Sequence, residues 1–174
     1  MKNTTTKKLK IKKTSVVFVC TGNICRSPVA ERLFKHHVKG LGFGANFKIS
    51  SVGLAAQNGD AMTGLSQDVL KQNKVNANNH KSRMLTDKII KNTDYFICMT
   101  AEHKFYMRGV ANTYTVAEIT SGLDVVDPWG GSMADYSKMY DYLAYAAPEI
   151  YNFIKNKESN KQQNKEVILN DSNS

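Results

Sequence analysis

The sequence has only three cysteines, three prolines and one tryptophan in 174 residues. Three cysteines cannot make a disulfide framework or a four-cysteine zinc site, so neither scaffold is expected. No apolar run approaches the ~18 residues of a membrane span, which argues against stable membrane insertion. The N-terminus is basic, but the apolar run behind it, Val16 to Cys20, is shorter than the roughly 7–15 residues of a signal-peptide core. The expectation is a cytoplasmic protein. No G-x4-G-K-[ST] loop occurs, which excludes a Walker A nucleotide site. No internal repeat and no linker interrupts residues 14–154.

Hydrophobic residues make up 41% of the chain and charged residues 22%, as in an ordinary globular domain. The net charge of +9 is unevenly placed. Six lysines crowd residues 1–13 without an acid, and four more lie in 155–174. Of the 24 basic and 15 acidic groups, residues 14–154 keep 14 and 12. The sequence thus divides into a basic flexible arm (1–13), one folded domain (14–157) and a polar flexible tail (158–174) rich in Asn, Gln, Lys and Ser.

Inside the domain the pattern alternates. Val16-Val17-Phe18-Val19 reads as a strand buried on both faces. A turn-like stretch, Cys20 to Ser27, follows. Val29, Ala30, Leu33, Phe34, Val38 and Leu41 then recur at helical spacing, with Ser27 as N-cap and Pro28 at the first helical position. Phe47–Ile49 reads as a second strand, and residues 61–70 as a second helix. Tyr95–Met99 reads as a third strand, and residues 110–116 hold a fourth. Residues 135–157 read as a long amphipathic helix that Pro148 should kink or split. Strands alternating with helices predict an α/β fold with a parallel sheet.

The sharpest chemical signal is Cys20-Thr21-Gly22-Asn23-Ile24-Cys25-Arg26-Ser27, a C-x5-R-S segment between a buried strand and a helix start. Backbone N–H groups at a helix N-terminus face outward, and a loop wrapped above them makes a nest for an oxyanion. A cysteine opening that loop should have its thiolate stabilised and its pKa lowered. An arginine closing it can grip two phosphate oxygens. Gly22 and Asn23 tolerate a left-handed backbone. Ser27 can offer its hydroxyl to the thiolate. Far along the chain, Asp127-Pro128-Trp129 places an acid beside a rigid proline and a large aromatic. A phosphoryl group bound to a thiolate needs such an acid for the leaving oxygen, and later a base for water.

These pieces, VVFVCTGNICRSPVAERL and the late D-P-aromatic, resemble the low-molecular-weight protein tyrosine phosphatases over about residues 15–155. The resemblance implies a four-stranded parallel sheet flanked by helices on both faces. It also implies a two-step mechanism without metal or other cofactor. Cys20 would be the nucleophile and form a phosphocysteine. Arg26 and the loop amides of Thr21, Gly22, Asn23, Ile24 and Cys25 would hold the phosphoryl oxygens. Asp127 would serve as general acid and then base. Asn23 would hold the loop backbone, Ser27 would stabilise the thiolate, and Ser51 and His80 would brace Asn23. Ile24 and Trp129 would form the substrate wall, with Leu54 to Asn58 opposite. Cys25 would be the redox partner that traps an oxidised Cys20 as a disulfide. Cys98 reads as core. The implied partner is a tyrosine-phosphorylated protein such as a bacterial tyrosine kinase, with inorganic phosphate or similar oxyanions as inhibitors.

Rival readings are weaker. An arsenate reductase on this fold needs two further cysteines, and only Cys98 remains. A protein arginine phosphatase is closer, because Asp127-Pro128-Trp129-Gly130-Gly131-Ser132 resembles that branch. Its members carry Thr where this chain has Ile24, and an apolar Ile24 suits a flat phenol ring, so phosphotyrosine is favoured. The folded part lacks a basic stripe with aromatics, so no nucleic-acid partner is expected. A non-catalytic phosphoprotein reader is disfavoured because Cys20, Arg26 and Asp127 are all present.

Overall fold

The computed structural model describes residues 12–171. The expected basic arm lies outside the described residues, apart from Lys12 and Lys13. Four strands form one sheet: β1 (Thr14–Cys20), β2 (Phe47–Gly53), β3 (Tyr95–Cys98) and β4 (Thr113–Thr115). Their order is β2-β1-β3-β4, and every pairing is parallel. Parallel pairing requires crossovers, and the first four of six helices supply them, while the last two follow β4. The six are α1 (Arg26–Gly40), α2 (Gly64–Gln72), α3 (Asp87–Lys91), α4 (Ala101–Tyr106), α5 (Val116–Thr120) and α6 (Met133–Asp171).

The alternation along β1 explains its unbroken hydrophobicity. Val16, Phe18 and Cys20 face the larger core, built with α1, α2 and α6. Val17 and Val19 face a smaller core with Val52, Phe96, Cys98 and Met107, against Ile89 and Ile90 of α3. A strand buried on both faces has no polar face to show. The crossover from β1 leads to β2, while β3 lies on the other side of β1. That reversal opens a crevice at the carboxyl ends of β1 and β3, where α/β sheets bind ligands.

Several elements depart from the sequence reading. The first helix starts at Arg26, with Cys25 at the N-cap position and no side-chain cap. Ser27 is therefore inside the helix and is not its cap. Pro28 is the third helical residue, where its missing N–H would have had no intrahelical partner. Ala61 and Met62 precede α2, which Thr63 caps by accepting from the Ser66 amide. Pro148 does not split α6, which is continuous from Met133 to Asp171. Ala146, Ala147 and Ile150 around it are buried in the main core, so packing holds the turn that lacks one backbone bond.

The same helix carries on through residues 158–171, the segment read from sequence as a flexible tail. Its polar composition hides a specific attachment. Tyr95, at the start of β3, donates its hydroxyl to Glu158 at 2.5 Å, and Lys161 donates to the Tyr95 oxygen at 2.8 Å. Burial and the Glu158 carboxylate push the Tyr95 phenol up to about 12, so it stays a donor at neutral pH. Removing residues 158–174 should lower the unfolding free energy by about 1 kcal/mol, the value of an ordinary hydrogen bond. Urea denaturation measures this, and unchanged stability would contradict the attachment.

Candidate active site

The loop between β1 and α1 is shaped by bonds to its carbonyl oxygens. The Leu54 amide donates to the Cys20 carbonyl at 2.9 Å and the Ala55 amide to that of Thr21 at 3.0 Å. The Thr63 amide donates to the Ile24 carbonyl at 3.0 Å, and His80 Nε2 to that of Asn23 at 2.7 Å. All four partners lie outside the loop. In a trans peptide the C=O and the following N–H point in opposite directions. Outward carbonyls at Cys20, Thr21, Asn23 and Ile24 therefore turn the amides of Thr21, Gly22, Ile24 and Cys25 inward. The result is a ring of N–H groups at the N-terminus of a 15-residue helix, a built oxyanion nest.

Asn23 sets the turn. Its φ is 56°, in the left-handed region that favours glycine or asparagine. Its side chain is fully buried and fully bonded. Nδ2 donates to Ser27 Oγ and to Ser51 Oγ, each at 2.9 Å, and Oδ1 accepts from the Arg83 amide at 2.9 Å. Ser51 in turn donates to the buried Glu31 carboxylate at 2.6 Å. Ser51 and His80 both touch Asn23, one at the side chain and one at the backbone.

Gly53, closing β2, must come close to let this happen. A Cβ there would stand 2.4 Å from the Thr21 carbonyl oxygen and 3.0 Å from the Asn23 nitrogen. Both are backbone atoms of the loop.

Cys20 lies at the floor, 2% exposed. Its Sγ is 2.9 Å from Ser27 Oγ and accepts from the Asn23 amide at 3.2 Å. Burial pushes this thiol upward, against the lowering effects of the Ser27 hydroxyl and amide, the Asn23 amide and the Arg26 charge. The sequence reading expected a lowered value. Near-complete desolvation of the sulfur reverses the sign, because a thiolate loses hydration that three donors, the Ser27 hydroxyl and amide and the Asn23 amide, only partly replace.

Arg26 closes the loop. Its Nη2 pairs with Asp127 Oδ2 at 2.7 Å, and its Nη1 donates to the Val125 carbonyl at 3.4 Å. Asp127 comes from the segment between α5 and α6, whose start is anchored where the Asp124 carboxylate accepts from the Ala101 amide at 3.0 and 3.1 Å. Asp127 Oδ1 also accepts from the Trp129 amide at 3.2 Å. The cavity, about 260 Å³, is lined by residues 20–26, Asp127 and Trp129. Trp129 and Ile24 thus stand at its wall. Residues 54–58 do not line it. Leu54 and Ala55 support the loop from outside instead. A larger apolar groove of about 640 Å³ shares Asp127 and Trp129 but contains none of the anion donors.

Cys25 is buried, with Thr63 Oγ1 and Tyr136 Oη each 3.5 Å from its Sγ. All three cysteines are free thiols. Cys98 lies in the smaller core, where burial raises it to about 12. Among the described residues, no three His, Cys, Asp or Glu side chains group as metal ligands.

The sequence reading missed Glu31, Arg83 and His103. His103 is buried in α4, with Nε2 3.0 Å from Thr21 Oγ1 and Nδ1 2.8 Å from Thr100 Oγ1. Burial, then the Arg26 charge, holds its pKa down at about 4. One cue was available: it follows a strand end beside β1, the side of a parallel sheet where sites form.

The sequence matches the model of the low molecular weight phosphotyrosine protein phosphatases over residues 15–163. It is 36% identical over 135 residues to a protein-arginine-phosphatase of Bacillus subtilis, covering 74% of this chain and 88% of that protein. It is 28% identical over 144 residues to the low molecular weight protein-tyrosine-phosphatase Etp of Escherichia coli, covering 80% and 93%. A solved Cys-to-Ser mutant of the YwlE arginine phosphatase, phosphorylated on its active-site serine, superposes with a TM-score of 0.75 at 31% identity, covering 82% of this chain and 96% of that one.

Two outcomes test the site. Ser27→Ala removes the strongest group that lowers the Cys20 thiol. The pH at which iodoacetate alkylates Cys20 should therefore move upward, and an unchanged midpoint would contradict the Ser27 contact. Gly53→Ala should displace the loop and reduce turnover on the order of 10²-fold, as misplacement by about 1 Å does. An activity assay with an aryl phosphate checks it.

Proposed function

The chain belongs to the low molecular weight phosphotyrosine protein phosphatase family, and from that premise we propose that it removes phosphate from phosphotyrosine in proteins through a phosphocysteine on Cys20. The observation that carries this reading is the nucleophile, the amide ring, Arg26 and Asp127 meeting around one small cavity.

In the first step the Cys20 thiol passes its proton to a non-bridging oxygen of the bound phosphate dianion, the resulting thiolate attacks phosphorus, and the bond from phosphorus to the phenolic oxygen breaks. Protonated Asp127 gives its proton to that oxygen. The loop amides and Arg26 stabilise the equatorial oxygens where negative charge concentrates. In the second step Asp127, now a carboxylate, takes a proton from water. The water oxygen attacks phosphorus, the S–P bond breaks, and orthophosphate leaves. The departing thiolate is received by the Ser27 hydroxyl and the Asn23 amide. In the YwlE relative, a mutant with serine in place of a cysteine carries the phosphoryl group on that active-site serine, which supports a covalent intermediate on the native thiol at the corresponding place.

The Arg26–Asp127 pair gives this cycle a specific order. Asp127 occupies Nη2, a donor that phosphate also requires. Phosphate binding exchanges one anion for the other and releases Asp127 toward the leaving group.

Ile24 and Trp129 on the cavity wall support a flat aromatic substrate. The partner is a tyrosine-phosphorylated protein, such as a bacterial tyrosine kinase, and orthophosphate is the product inhibitor. Cys25 serves as the thiol that captures an oxidised Cys20. The free thiols are in keeping with a cytoplasmic location, and no helix among the described residues is long and apolar enough to cross a membrane. A second reading, protein arginine phosphatase, is favoured by the relative at 36% identity that carries that name and by the Asp127-Pro128-Trp129-Gly130-Gly131-Ser132 segment.

Cys20→Ser should abolish turnover of aryl phosphates. Asp127→Ala should slow phosphotyrosine hydrolysis by about 10²–10⁴, the contribution of a general acid. It should also tighten orthophosphate inhibition by freeing Arg26. Hydrolysis of phosphotyrosine and phosphoarginine peptides, by the native protein and by Ile24→Thr, separates the two readings. Preference of the native protein for phosphotyrosine, weakened in Ile24→Thr, is the expected result. Preference for phosphoarginine would overturn it.

A further inference from the structure

We propose that His103 is a positioning residue that makes the Thr21 hydroxyl a hydrogen-bond donor toward the phosphoryl group. This rests on reading the cavity at residues 20–26 as the anion site.

Thr21 opens the loop next to Cys20, and it lines the cavity. Its hydroxyl can either give its single hydrogen to a neighbour or keep it for a ligand. His103 decides which. The ring lies between two hydroxyls, with Nδ1 2.8 Å from Thr100 Oγ1 and Nε2 3.0 Å from Thr21 Oγ1. It is 4% exposed and neutral at pH 7, so it has one N–H and one lone pair.

Two arrangements are available. In one, Nδ1–H donates to Thr100 and the Thr21 hydroxyl donates to Nε2. Thr100 Oγ1 already accepts from the His103 amide at 3.2 Å, so both its lone pairs are then filled. Its own hydrogen would have no acceptor among the described residues. In the other, the Thr100 hydroxyl donates to Nδ1, and Nε2–H donates to Thr21 Oγ1. Every polar hydrogen in the unit of part-buried Thr100 and buried His103 is then paired within the protein, with none left to be taken up by solvent. Thr21 Oγ1 accepts from His103 and, at 3.5 Å, from Arg26 Nη2. Both lone pairs are committed, and the remaining hydrogen is free for a phosphoryl oxygen.

The second arrangement adds a donor to those of the amide ring and Arg26, directed at the same anion. It also ties Thr21 to the guanidinium. His103 touches neither substrate nor nucleophile and acts through Thr21.

Long-range ¹H–¹⁵N correlation spectra of the free protein at pH 7 read the tautomer directly. The Nε2–H form is expected, and the Nδ1–H form overturns the proposal. Orthophosphate affinity, followed by the shifts of the loop amides, supplies the second reading. Thr21→Val should weaken it roughly tenfold, the loss of one hydrogen bond to an anion, while Thr21→Ser keeps it. His103→Leu should weaken it by the same factor in the native background and by nothing more beside Thr21→Val. His103→Gln, which can place an N–H near the Nε2 position, should restore most of the loss. Independent, additive losses, or His103→Gln as weak as His103→Leu, overturn the proposal. If His103→Leu does not fold, the Val and Ser variants of Thr21 and the tautomer still decide. Neither reading depends on turnover, so a native protein that fails to hydrolyse aryl phosphates would count against the phosphatase assignment alone.

Discussion

The left-handed turn at Asn23 is the constraint on which the rest of the site depends. A residue with a Cβ resists this conformation by roughly 1–2 kcal/mol. Here the whole polar inventory of Asn23 is recruited to hold it. Its amide reaches Cys20, its side chain reaches Ser27, Ser51 and the Arg83 amide, and its carbonyl accepts from His80. Beyond Cys20 at the end of β1, those partners come from α1, β2 and the segment before α3. One buried side chain therefore ties the nucleophile loop to three parts of the fold. With this turn in place, neighbouring carbonyls face outward and amides face the cavity.

Charge follows the same local logic. The net +9 of the chain does little for catalysis, because most of it lies in the two ends. The positive field that matters comes from backbone amides, a helix N-terminus and Arg26. Asp127 balances Arg26 at 2.7 Å. In the proposed mechanism that contact holds Asp127 next to the leaving group, and phosphate binding and the release of Asp127 become one event. The raised thiol of Cys20 fits this scheme. Desolvation makes the anion costly, so the few donors near sulfur carry unusual weight.

Much of this was legible in the sequence, for physical reasons that differ by element. The run at residues 16–19 could only be a strand buried on two faces, and the C-x5-R-S segment behind it needed a loop at a helix start. Asn23 was readable because few residue types tolerate its backbone. The limits are equally specific. Ser27 looked like a helix cap, since Ser before Pro fits that role, but its hydroxyl is committed to Cys20 and Asn23. Residues 158–171 looked like a tail because their composition is polar, while their anchor, Tyr95, lies more than sixty residues away. Glu31, Arg83 and His103 act through contacts across 20 to 82 positions, which no local pattern encodes.

The most direct measurement of the central claim is an orthophosphate titration followed by ¹H–¹⁵N spectra. The amides of Thr21, Gly22, Ile24 and Cys25 should shift together with one dissociation constant in the native protein. In Asn23→Ala the same amides should respond weakly and without a common midpoint. Undiminished, concerted shifts in Asn23→Ala, or none in the native protein, would contradict the account.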